Sequence, residues 1–309
     1  MYKQKRLFRS EFAPIRGLDY HVHVWADPAG SAQPPLPPLV LVHGWMDVAA
    51  SWQFMVDAFS DAFTAGRTII APDWRGFGQT ASPETTDSYW FADYLADLDF
   101  LLDHYSPGQA VDLAGHSMGG NVAMLYAGVR PARIRRLVNL EGFGMPASDP
   151  SQAAARFAKW MDEIKSVYRG QLVLKSYDDA GGVARRLMKT NPRLTKPKAA
   201  WLARHWAHAD DEGKWRILGN PAHKVTSAQL YRLDEVLEIY KCIRAPLLAV
   251  EASDDSLHKW WKDAYSLADY HERLKNVADA RVAVVHDAGH MLHHDQPQQL
   301  AALIEAFLA

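Results

Sequence analysis

The stretch Gly115-His116-Ser117-Met118-Gly119-Gly120 constrains this chain more than any other. Just before it, residues 110–114 are short and apolar, as a buried strand requires. Just after it, residues 121–127 contain neither Gly nor Pro and favour a helix. Ser117 therefore stands at a sharp strand-to-helix turn, with a glycine two positions away on each side. Such a turn strains the backbone at the serine and needs small neighbours to relieve crowding. It sets the hydroxyl at the top of a sheet, beside a helix N-terminus whose free N–H groups suit negative charge developing on an oxygen. In that context G-x-S-x-G is the pattern of a nucleophile.

The remaining chain supplies a sheet beneath the turn. Residues 7–13 and 18–26 alternate, with Tyr20, Val22 and Val24 set against His21 and His23, and predict two strands joined at Arg16-Gly17. Residues 29–38 hold four prolines and predict a loop. Residues 39–42, 68–71, 110–114, 137–141, 246–250 and 280–285 are short apolar runs, as in strands buried on both faces of a parallel sheet. Helical patterning falls between them over 51–62, 88–104, 121–127, 265–274 and 296–308. Alternation at this spacing means βαβ units, with functional loops gathered at the carboxyl ends of the strands. From 143 to 241 the rhythm breaks. No buried strand is legible there, and helical stretches over 153–168, 180–189, 198–209 and 227–240 are punctuated by Pro146, Pro150, Pro192, Pro197 and Pro221.

Charge excludes some partners. Thirty-four basic and 36 acidic residues leave a net −2, so neither a nucleic-acid nor a membrane surface is expected. The basic first eight residues lack a following apolar stretch, so no secretory signal is expected, and no run approaches the length that spans a bilayer. The single cysteine, Cys242, forms no internal disulfide and fits a cytoplasmic setting.

With His43-Gly44-Trp45, Asp73-Trp74-Arg75-Gly76-Phe77-Gly78, Gly115–Gly119 and Gly289-His290 in this order, the chain resembles the α/β-hydrolase family with a helical cap. Residues 43–47 with Ser51-Trp52, and 140–144, resemble its serine-hydrolase-like branch. The resemblance implies an α/β fold with a mostly parallel sheet of about eight strands, helices on both faces and a cap inserted after the sixth strand. The core would comprise 1–142 and 243–309, and the cap 143–242.

A neutral serine needs an adjacent base, and histidine titrates in the right range. In this fold the order is serine, acid, histidine. His290, in the loop after the last strand, is assigned as the base. His293 and His294, one turn later, are expected at the surface or facing the cap, and the resemblance makes His43 and His116 structural. Two carboxylates compete for the acid. Asp255 follows the strand over 246–250 with Ala252 at the usual glycine and is preferred; Glu141, ending the strand after the elbow helix, is the rival. The resemblance places the oxyanion donors at the backbone N–H groups of Trp45 and Met118. Asp73 and Arg75 are expected to brace loops. No spacing matches a metal site, and no cofactor is implied.

These assignments predict two-step acyl transfer on a small, largely apolar ester, with cap aromatics such as Phe157, Trp160, Trp201 and Tyr231 as candidates for a pocket wall. Carbon–carbon bond or lactone hydrolysis with the same triad, and a small-molecule sensor, are the alternatives. Dehalogenase and epoxide-hydrolase chemistry need a carboxylate where this chain has Ser117.

Overall fold

The computed structural model describes residues 2–26 and 36–309. Most of the proline-rich loop expected over 29–38 lies outside them. Eight strands form one sheet: β1 (Arg9–Ile15), β2 (Leu18–Trp25), β3 (Leu39–Val42), β4 (Ile69–Pro72), β5 (Val111–His116) and β6 (Ile134–Leu140), then, after an insertion, Leu247–Ala252 and Ala280–Val285. Their spatial order is β1, β2, β4, β3, β5, β6, Leu247–Ala252, Ala280–Val285. The first two are antiparallel to their neighbours and the other six run parallel.

The continuous apolar runs have a direct physical cause. In β3, Val40 and Val42 face one apolar cluster while Leu39 and Leu41 face another across the sheet. Each fully buried side chain of this size contributes roughly 1.5–3 kcal/mol. The first cluster includes side chains of helices Phe91–Tyr105, Met118–Val129, Leu233–Lys241 and Leu267–Leu274; the second includes those of Gln53–Ala58 and Pro297–Leu308. The helix expected over 51–62 breaks after Phe59, where the Ser60 hydroxyl accepts from Phe63 N–H and starts a new turn, Asp61–Thr64.

Between Leu140 and Leu247 lie helices Ala153–Tyr168, Ala180–Thr190, Lys196–Trp206 and Leu233–Lys241. The last packs on Met118–Val129 as part of the core layer. Helices Ala180–Thr190 and Lys196–Trp206 bury Val183, Leu187, Trp201 and Leu202 against Val48 and Phe54. Three short antiparallel strands, β7 (Ser176–Tyr177), β8 (Ala207–Ala209) and β9 (Trp215–Ile217), occur here against expectation. At two or three residues each, they are too short to show alternation in sequence. Two backbone bonds tie this insertion to the Asp73–Gly78 loop, Gly78 N–H to Leu218 C=O at 3.0 Å and Asn220 N–H to Gly76 C=O at 2.8 Å.

Candidate active site

Ser117 follows β5 and stands at the N-cap of helix Met118–Val129 with φ 53° and ψ −116°. A non-glycine residue in that region is strained and must be held by its surroundings. The holding groups are visible. Ser117 N–H donates to Leu140 C=O at 2.8 Å, and its own carbonyl accepts from Asn121 N–H at 3.0 Å. Behind the serine, a Cβ on Gly120 would collide with Asn139 Oδ1 and lie 3.1 Å from Gly142 Cα. The elbow helix thus rests directly on the turn that follows β6.

That turn presents Glu141, itself at φ 55°. Asn139 fixes it, accepting from Gly142 N–H at 3.0 Å and donating to Gly142 C=O at 2.8 Å. The buried Glu141 carboxylate accepts from Ala252 N–H at 2.8 Å through Oε1, and its Oε2 is 3.2 Å from His290 Nδ1. Burial pushes this carboxyl up to about 7, the charges of Asp255 and Asp254 adding to the effect, while its bonds to Ala252 N–H and Ser256 oppose it. Burial pushes the His290 imidazole down.

His290 is anchored on several sides. Its carbonyl oxygen accepts from His116 Nε2 at 2.8 Å, and Trp260 meets its ring edge-on at 4.4 Å between centroids. The loop carrying it is pinned by Gly289 N–H to Asp295 Oδ2 at 2.9 Å and Asp254 N–H to Ala288 C=O at 3.0 Å. Arg193, from the insertion, grips Asp254 with both terminal nitrogens at 2.7 and 3.2 Å.

Asp255 is placed differently from the preferred reading. It is exposed and caps helix Ser256–Trp261, its Oδ1 accepting from His258 N–H at 2.8 Å. The carboxylate at His290 Nδ1 is that of Glu141. Sequence order could not decide between them, because both follow strands ending at the same edge. What separates them is the left-handed turn at Glu141, which aims its side chain at the imidazole. The pair Asn139 and Gly142, which builds that turn, is the local signal.

The loop after β3 approaches the elbow from the other side. A Cβ on Gly44 would lie 3.1 Å from both Ser117 Cβ and His116 Nδ1, so only glycine lets Trp45 come so near. Met118 N–H opens the elbow helix and has no intrahelical acceptor. The Trp45 indole is 52% exposed and reaches the His223 carbonyl of the insertion at 3.4 Å. His43 is a buried brace, taking Trp74 N–H on Nε2 at 2.9 Å. Asp73 and Arg75 also brace: Asp73 accepts from Ala49 and Gln79 N–H, and Arg75 holds Asp97. His293 and His294 are not at the surface; they face the inserted segment, where Lys198 Nζ donates to the His294 carbonyl at 2.9 Å. Both are buried, and His294 Nε2 lies 3.0 Å from Ser51 Oγ.

A serine at a strained elbow, a histidine on the same sheet edge and a carboxylate behind that histidine are now placed. Comparison with known proteins agrees with the fold that carries them. Residues 37–297 match the model of the alpha/beta hydrolase fold family. The chain belongs to the α/β hydrolase fold family. The thioesterase domain from the curacin biosynthetic pathway superposes with a TM-score of 0.81 at 23% identity, over 97% of this chain and 99% of that one. The AB hydrolase superfamily protein YfhM of Bacillus subtilis is 25% identical over 97% of this chain and 98% of its own length. Epoxide hydrolase 2 of Siraitia grosvenorii is 36% identical over 104 residues, 34% of this chain and 32% of that protein. Membership of this family supports hydrolase activity. No helix among the described residues is long and apolar enough to cross a membrane.

The candidate pocket aromatics divide by environment. Trp201 is buried against Phe54 and Tyr2, and Trp206 donates to Asp47 at 3.1 Å. Phe157 and Met161, each 49% exposed, lie on helix Ala153–Tyr168, which buries no residue at all.

Proposed function

We propose that this α/β hydrolase cleaves a carboxylic ester, or a similar acyl compound, of a small and largely apolar substrate through an acyl-enzyme on Ser117. The observation that carries this reading is the Glu141–His290 contact at 3.2 Å, on the same sheet edge as the strained Ser117. With Nδ1–H directed at Glu141, the neutral His290 ring keeps Nε2 as a base. Nε2 takes the Ser117 proton as Oγ attacks the carbonyl carbon. The alkoxide that develops is received by the N–H groups of Trp45 and Met118. His290 returns the proton to the leaving alcohol, and water, deprotonated by the same nitrogen, releases the acid. The acid role is assigned to Glu141; Asp255 serves as a helix cap.

Epoxide opening by the route that uses an elbow carboxylate is disfavoured, because that position is Ser117. Trp45, Trp260, Phe157 and Met161 are proposed as the apolar approach to the serine, and the inserted segment over 143–242 as its cap. The partner is a small molecule, with neither nucleic acid nor membrane involved, and the setting is cytoplasmic. An acyl-chain series of p-nitrophenyl esters tests the reading. Turnover with label from a fluorophosphonate on Ser117 is expected; absence of both across the series overturns it.

A further inference from the structure

A second group of side chains converges close to the serine without belonging to its machinery. Asp47 lies in the loop after β3, and His293 and His294 lie in helix Leu292–Asp295. Their ligating atoms fall within 4.8 Å of one another, and all three residues are buried. Asp47 Oδ2 and both ring nitrogens of His293 have no hydrogen-bond partner among the described residues. His293 Nε2 stands 4.0 Å from that Oδ2. A buried polar atom left unpaired is destabilising. Several such atoms facing one another form a convergent set of potential metal donors.

The other contacts of the group fix its outline. Asp47 Oδ1 accepts from Ser51 Oγ at 2.5 Å and from Trp206 Nε1 at 3.1 Å, which leaves Oδ2 turned toward the imidazoles. Ser51 Oγ also contacts His294 Nε2 at 3.0 Å. The His293 ring lies between Trp52 and His116, at centroid distances of 4.9 and 4.5 Å.

We propose that Asp47, His293 and His294 bind a divalent first-row cation, with Zn2+ the best-fitting member. Two imidazoles and one carboxylate are a borderline-soft donor set that suits zinc. With metal–ligand bonds of about 2.0–2.2 Å, tetrahedral donors lie about 3.4 Å apart, so the Asp47–His293 pair closes by about half an ångström on binding. Binding replaces the His294–Ser51 hydrogen bond with a metal–nitrogen bond. The ligands come from opposite ends of the chain, so no local spacing announces them.

The purified protein, stripped with a chelator, is titrated with Zn2+ by calorimetry and with Co2+ by visible absorption. One equivalent per chain is expected, with the d–d bands of nitrogen- and oxygen-ligated Co2+. Asp47→Asn and His293→Gln, checked for folding by circular dichroism, are expected to weaken binding by about 100-fold or more. His286→Gln, at an exposed histidine, is expected to leave it unchanged. X-ray absorption on the zinc-loaded unmodified protein is expected to show two imidazole ligands, and it decides the matter even if a variant fails to fold. Weak non-stoichiometric binding, binding indifferent to both variants, or a zinc shell without two imidazoles overturns the proposal.

Discussion

His116 donates its Nε2–H to the carbonyl oxygen of His290 at 2.8 Å. The residue just before the serine therefore holds the backbone of the proposed base, so elbow and base loop are registered through one hydrogen bond. His116→Ala leaves a buried carbonyl unpaired and the base loop free to shift. A fall in kcat of about 10- to 100-fold is expected, with a smaller change in KM, as an ångström-scale misplacement gives. Steady-state kinetics on one ester separates the two. A change confined to KM would contradict the positioning role.

Ser117→Ala removes the proposed nucleophile and is expected to leave the fold intact. Ester turnover is expected to fall by about 10^4-fold or more. Intact-mass analysis after fluorophosphonate treatment should show the adduct lost with it. Turnover within tenfold of the parent would place the nucleophile elsewhere.

Glu141 and Asp255 are separable by kinetics and stability together. Glu141→Gln is expected to lower kcat by about 10^3- to 10^4-fold, the scale of losing a triad carboxylate. Asp255→Ala should leave kcat nearly unchanged and cost about 1 kcal/mol in stability, the loss of one helix cap. Thermal melts alongside the kinetics check both, and the reverse pattern would return the acid role to Asp255.

The raised carboxyl of Glu141 sets a pH dependence. Its value is about 7 in the folded protein against 4.5 ordinarily, so the native state holds this proton longer than the unfolded chain does. Its contribution to stability is complete below about 4.5 and is lost as pH rises to about 7. Relative to Glu141→Gln, the parent should therefore lose melting temperature across that window. In kcat/KM, the rising limb of the parent is expected near 7 and belongs to the Glu141–His290 pair together. A limb that does not move in Glu141→Gln would detach it from this pair.

Gly120→Ala tests the contact between elbow helix and acid turn. The added methyl meets Asn139 Oδ1, which also fixes Gly142. A loss of about 1–3 kcal/mol is expected from overpacking, read as a lower denaturant midpoint.

The sequence made the scaffold legible because burial leaves a simple trace. Leu39–Val42 and Ala280–Val285 coincide with their expected bounds, and helix Ala153–Tyr168 does so in the insertion. Ser117 was legible because its turn demands glycines at fixed offsets. The carboxylate behind His290 was not, since two acids end neighbouring strands and only a backbone angle distinguishes them. Of the two places expected for His293 and His294, burial excludes the surface and leaves the cap-facing one. Helix Leu292–Asp295 turns them inward against Trp52 and Phe54.

Helix Ala153–Tyr168 buries none of its side chains and is tied mainly through Glu163 to Thr226 N–H and Tyr168 to Asp87. Lifting it uncovers only half-buried apolar side chains, Trp160, Ile164 and Val167, so its detachment sits near the cheap end of the range of local unfolding. Its amides should exchange with deuterium while those of the parallel sheet stay protected. Movement of this part of the proposed cap is thereby decoupled in time from the integrity of the sheet.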